Sequence, residues 1–185
     1  MATALLDPSE TLDLPPAAAL EDRLVQVVDG EILKREPMGL EAGFAAGECY
    51  AELRQYAKHH GGVAFTDGNC FRAFGPDGTR PRYPDASYVA AGRLETIPRS
   101  VGRLAPDLCV EVVSPNDLST NVREKVEEYL AAGVREVWVV DPAVRVVEAY
   151  GPDRTTTYRP GQTLTSEDVL PGFEMAVDGL FPKAV

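Results

Sequence analysis

Asp107 and Glu111 lie in APDLCVEVVSP, a run otherwise apolar enough to be a buried strand. Side chains alternate faces along a strand, so residues four apart point the same way. The two carboxylates therefore share a face with Cys109 and Val113, while Leu108, Val110 and Val112 make the other. Two bare carboxylates ~4 Å apart in a medium of dielectric near ~20 repel by about 4 kcal/mol. Buried acids stay ionised beside a cation, a set of hydrogen-bond donors or a metal. The plain alternative is that Asp107 sits in solvent at the strand end and Glu111 pairs with an arginine. A third acid, Asp85 in RYPDASYVA, opens another strand candidate. If the two strands are neighbours, Asp85 lies beside Glu111 at one end of the sheet. Hard oxygen donors without a nearby histidine suit Mg²⁺ or Mn²⁺ rather than zinc.

Lys125 is the candidate cation. Val122, Val126, Tyr129 and Leu130 form the apolar stripe of a predicted helix, and Lys125 borders it, with Glu124, Glu127 and Glu128 on the outer side. A lysine so placed can reach the acids of the preceding strand, or it can snorkel into solvent.

These residues need a scaffold of strands and helices to hold them. LVQVVDGEILKRE places Asp29-Gly30 between two apolar runs, a hairpin pattern. Residues 40–58 read as a helix ended by Gly61-Gly62. VAFT, NCFRAF and RYPDASYVA read as strands, followed by a polar, partly basic loop over 92–103. After the strand of Glu111, Ser119 or Asn121 can cap a second helix that stops at Gly133. EVWVVDP and RVVEAY are further strands, and the tail reads as short strands and turns. This order predicts a mixed α+β or α/β domain, a central sheet flanked by helices. Residues 1–18 form an expected loose arm and 19–185 a single domain.

The chain has 185 residues and a formal net charge of −11. Nucleic-acid binders neutralise phosphates with basic surface, so any phosphate-directed role here needs a local basic patch, a divalent metal or a partner. No run approaches the roughly 20 apolar residues of a membrane span, and the start lacks the features of a secretory signal. Cys49, Cys70 and Cys109 show no zinc spacing and read as reduced thiols, consistent with a cytoplasmic protein. His59-His60 reads as a helix end, and Trp138 and the tyrosines read as core. No phosphate-binding glycine loop or nucleophile elbow occurs.

The run PDLCVEVVSP…REKVEEYLAAGVREVWVVDP…VEAY, with YPDASYV before it and LPGFEMAVDGLF after it, resembles the Uma2 family. That family is placed among the PD-(D/E)XK nuclease-like proteins of restriction-endonuclease fold. The resemblance runs from about Leu20 to the C-terminus. It implies that Asp85 is the aspartate of the PD motif and Glu111 its second acid. The motif's lysine position holds Val113 instead, and the resemblance assigns the role to Lys125, supplied by the following helix. Asp107 becomes an additional metal ligand. Glu48 matches a further acid of some relatives, although Glu41 and Glu52 are equally available on the same helix.

The implied activity is Mg²⁺- or Mn²⁺-dependent endonucleolytic hydrolysis of phosphodiesters, with DNA as partner and substrate. A homodimer is expected, since a duplex has two strands to cut and twofold dimers are the commonest oligomers; the hairpin or an edge strand of the EVWVV/RVVEAY pair would supply the contact. If metal alone holds Glu111 beside Asp85, Glu111→Gln leaves the metal-free fold no less stable. The rival reading is a catalytically inactive nuclease fold kept for binding or scaffolding. The displaced lysine and the acidic charge favour that rival.

Overall fold

The structure, a computed structural model, describes residues 24–28, 31–35, 38–114 and 119–182. The expected arm over 1–18 lies outside them. The chain divides into two compact units, Met1–Pro37 and Met38–Val185. In the first, β1 (Leu24–Val28) and β2 (Glu31–Arg35) pair antiparallel with Val28 opposite Glu31. That pairing agrees with the hairpin pattern of the sequence, whose Asp29-Gly30 lies outside the described residues.

The second unit opens with α1 (Leu40–His60), which buries Ala42, Ala45, Ala46, Cys49, Leu53 and Tyr56 along one stripe. There follow β3 (Val63–Thr66), β4 (Phe71–Phe74), β5 (Arg80–Arg82), β6 (Ala86–Val89) and β7 (Leu108–Val112). Next come α2 (Ser119–Ala131), β8 (Glu136–Asp141), β9 (Val146–Tyr150), β10 (Thr155–Tyr158), β11 (Thr163–Ser166) and β12 (Leu170–Ala176). A 3-10 turn at Val177–Leu180 follows. RYPDASYVA is not one strand. It breaks at Pro84, whose missing N–H and fixed φ interrupt pairing, so β5 joins β4 in a separate hairpin and β6 enters the main sheet.

The main sheet has six strands in the order β10-β9-β8-β7-β6-β3. Only β7 and β8 run parallel, with Leu108 beside Glu136, and α2 is the crossover that such a pair demands. The sheet edges are β3 and β10. The strands of EVWVV and RVVEAY are both internal, so neither can supply an edge-to-edge contact, contrary to the expectation above.

Every residue of β7 is buried. Leu108, Val110 and Val112 face the layer of α1, β12 and the 3-10 turn, together with Trp138, Tyr88 and Phe173. Cys109 and Val113 face the other layer, with Val126 and Tyr129 of α2 and Phe71 and Phe74 of β4. The even and odd faces expected from the sequence are the two faces observed.

Two observations in this scaffold generate tests. Gly62, between α1 and β3, has φ of 82°, and a Cβ there would stand 2.5 Å from both the Tyr88 hydroxyl and the Val89 carbonyl oxygen. Gly62→Ala should destabilise the protein by about 3 kcal/mol, read from urea unfolding, because left-handed strain and overpacking add. Glu136 is buried at the start of β8 and accepts a 2.5 Å hydrogen bond from Trp138 Nε1. Burial pushes its carboxyl above the ordinary 4.5, outweighing the indole bond that opposes the shift. The folded state then holds a proton that the unfolded state gives up, so this contribution to stability is lost as pH rises. The melting-temperature advantage of Glu136→Gln over wild type should grow between pH 4.5 and pH 7.

Candidate active site

Asp85 is fixed by the strand it neighbours. Its N–H donates to the Val110 carbonyl at 2.9 Å, and its carboxylate accepts the Val112 N–H at 2.7 Å. Ala86 stands opposite Val110 in the antiparallel pair, so one step outward Asp85 stands opposite Glu111. The two acids are 7% and 6% exposed. The structure thus brings Asp85 and Glu111 together at one end of the sheet.

The helix supplies two donors to Glu111. Lys125 Nζ lies 2.6 Å from Oε2, and the Tyr129 hydroxyl donates to Oε1 at 2.6 Å. Residues four apart on a helix share a face, so both reach the same carboxylate. Lys125 keeps 40% of its side chain exposed while its ammonium turns inward, which decides between the two placements open in the sequence. Tyr129 is fully buried, and burial first, then the Glu111 charge, raise its hydroxyl well above 10. It is a neutral donor at any ordinary pH. The apolar stripe of the sequence marks Tyr129 only as core. A hydroxyl one helical turn beyond Lys125 was the signal that could have marked it.

Glu128 is likewise misplaced by helix pattern alone. It does not face open water but accepts from Arg80 Nη1 at 2.6 Å and Arg82 Nε at 2.5 Å. The β4–β5 hairpin therefore grips α2 one residue away from Tyr129, and that grip orients the face that serves Glu111.

Asp107 does not join this group. It precedes β7, and four residues of strand span roughly 13 Å, so sharing a face with Glu111 puts it at the opposite end of the sheet. There its Oδ2 accepts from the Ala90 N–H at 2.8 Å and from Arg93 at 2.8 Å, with Arg135 4.0 Å from Oδ1. This pairing explains how the carboxylate is tolerated at 4% exposure without a metal. Glu48 is half-buried on α1 and Glu41 is exposed. The Cys49 thiol is pushed up by burial, then by the charges of Asp85, Glu48 and Glu52, which locates this stretch of α1 on the Asp85 side. Glu48 makes no hydrogen bond to Asp85 or Glu111 among the described residues.

Among the described residues no three of His, Cys, Asp and Glu form a metal-holding group. Asp85 and Glu111 alone are a pair of hard-oxygen donors. Mg²⁺ is commonly held by one or two carboxylates and keeps several waters, so the pair fits such an ion. Each Glu111 oxygen accepts one bond from Lys125 or Tyr129, and a carboxylate oxygen has a second lone pair to offer.

The fold is a mixed α+β domain with a central mixed sheet, and at one end of that sheet two acids stand beside a helix-borne lysine. The family profile of Uma2, described as "putative restriction endonuclease", matches residues 8–178, and the chain belongs to that family. A solved structure from Anabaena variabilis, described as a "putative nuclease belonging to DUF820", is 21% identical. It superposes with a TM-score of 0.71 over 85% of this chain and 89% of that one, a likeness of fold. No curated protein matches the chain.

Tyr129→Phe deletes a donor to a buried charge at nearly constant volume. It should cost about 2 kcal/mol in urea unfolding, the loss expected for a hydrogen bond to an ionised group.

Proposed function

We propose that the protein is a divalent-metal-dependent nuclease that hydrolyses phosphodiester bonds, with DNA as substrate. The observation that carries this reading is the pairing of Asp85 and Glu111 across the β6–β7 register, with Lys125 Nζ 2.6 Å from Glu111. Asp85 and Glu111 would hold Mg²⁺ or Mn²⁺. Such an ion neutralises charge on the phosphate and lowers the pKa of a bound water. In this reading the Lys125 ammonium would orient a water and stabilise charge developing on the phosphate oxygens. Tyr129 keeps the Glu111 carboxylate in one orientation. Asp107 supports the fold from the far end in this reading. A homodimer, with β3 or β10 as the edge available for pairing, would present two such sites.

The non-cleaving alternative draws on one observation: both Glu111 oxygens already accept hydrogen bonds, one from Lys125 and one from Tyr129. The acid is then stable without metal. This ion pair also reverses the expectation for the metal-free protein, since Glu111→Gln now breaks a buried charge pair instead of relieving repulsion.

Thermal melts separate the two readings. In chelator, Glu111→Gln should melt below wild type. Mn²⁺ should stabilise wild type by about 2.7 kcal/mol at a concentration ~100-fold above its dissociation constant, and most of that gain should vanish in Glu111→Gln. Wild type that gains nothing from Mn²⁺ or Mg²⁺ would sink the nuclease reading and leave Glu111 a structural residue.

A further inference from the structure

The chain is acidic, yet its arginines are not evenly spread. Residues 70–104 hold Arg72, Arg80, Arg82, Arg93, Arg99 and Arg103 against only Asp77, Asp85 and Glu95. Three of these arginines are consumed by the fold, Arg80 and Arg82 on Glu128 and Arg93 on Asp107. The other three, Arg72, Arg99 and Arg103, are exposed and make no ion pair among the described residues. They are neighbours in space. The Arg72 N–H donates to the Gly102 carbonyl at 2.7 Å, and the Gly102 N–H donates to that of Cys70 at 2.9 Å, which ties the loop of Arg99 and Arg103 to β4.

Beside them runs a shallow open groove walled by Phe65, Phe71, Leu94, Ile97 and Pro98, with Asn69 at its side. Ile97 is 61% exposed, uncommon for so large an apolar side chain on a loop. Phe65 lies on β3, where Thr66 stands opposite Ala86, the residue after Asp85. The chain leaving β3 toward the groove therefore emerges at the sheet end that carries Asp85 and Glu111.

We propose that this groove binds a single-stranded nucleic acid, with a splayed base against Ile97, Pro98 and Phe65 and the flanking phosphates on Arg72, Arg99 and Arg103. The proposal rests on the nuclease reading and adds the surface and the strandedness. Its chemistry is that of general single-strand binding, where guanidinium groups follow the backbone and apolar or aromatic side chains meet the base faces. A duplex keeps its base faces stacked inside and would leave the apolar walls uncovered. The grouping also accounts for phosphate binding by an acidic chain, because the positive charge is local.

Fluorescence anisotropy of a labelled oligothymidylate, titrated with the full chain in chelator over a series of salt concentrations, tests this. Wild type should bind, more weakly as salt rises. The triple variant R72A/R99A/R103A should bind at least about tenfold more weakly, with the slope of log affinity against log salt smaller by about 2, three phosphates at roughly 0.7 each. Ile97→Ser should weaken binding several-fold and leave the slope unchanged. All four residues are exposed, and unchanged melting temperatures would exclude unfolding as the cause. A triple variant with the wild-type slope, a wild type that does not bind, or a matched duplex bound as tightly as the single strand would each overturn the proposal. Because no metal is present, none of these outcomes bears on the Mn²⁺ melts, and a failure of those melts leaves the anisotropy result standing.

Discussion

A carboxylate on the central strand of a sheet covered on both sides is the constraint around which this structure is arranged. Glu111 cannot be left there uncompensated, because an unpaired buried charge costs several kcal/mol. The protein answers with Lys125 and Tyr129, both from α2. That answer fixes where the helix must lie and which face it must turn to the sheet. Arg80 and Arg82 then hold the helix through Glu128, so the short β4–β5 hairpin, outside the main sheet, becomes part of the support for Glu111.

The two ends of β7 have different tasks. At the Asp107 end, arginines and the Ala90 amide satisfy the acid completely within the fold. At the other end, Asp85 is held by backbone groups of β7 and Glu111 by two donors, an arrangement that concentrates negative charge beside a half-exposed ammonium. The nuclease reading places its chemistry at the second end.

Much of this was legible in local pattern. The apolar run over 107–113, the stripe of α2 and the glycines after α1 identified their elements, because burial and backbone conformation act at short range. The partnership of Asp85 and Glu111 needed strand adjacency, which local pattern could only pose as a condition. Asp107 shows the limit of face arguments, since period two assigns a side of the sheet and says nothing about which end a partner occupies. Glu128 shows the limit of helix wheels. Its arginines lie in a hairpin 46 and 48 residues earlier, so no window on α2 could find them. Tyr129 was hidden because a tyrosine satisfies an apolar pattern with its ring while its hydroxyl does something else.

On the nuclease reading, placing the cation on a helix while both acids stay on the sheet has a consequence for how competence is governed. Where acid and lysine share one strand, their spacing is set by covalent geometry and persists as long as the strand does. Here it is set by a docking equilibrium between α2 and the sheet. If docking is favoured by about 2.7 kcal/mol, roughly 99% of molecules have the lysine in place, and every 1.4 kcal/mol lost from that grip raises the undocked fraction about tenfold. Asp85 would keep its backbone bonds to β7 in such an opening, while Glu111 would lose both of its helix donors. Substitutions in the β4–β5 hairpin, far from any reacting atom, would then act as a rheostat on the competent population, graded in effect and invisible to an inspection of the acids alone.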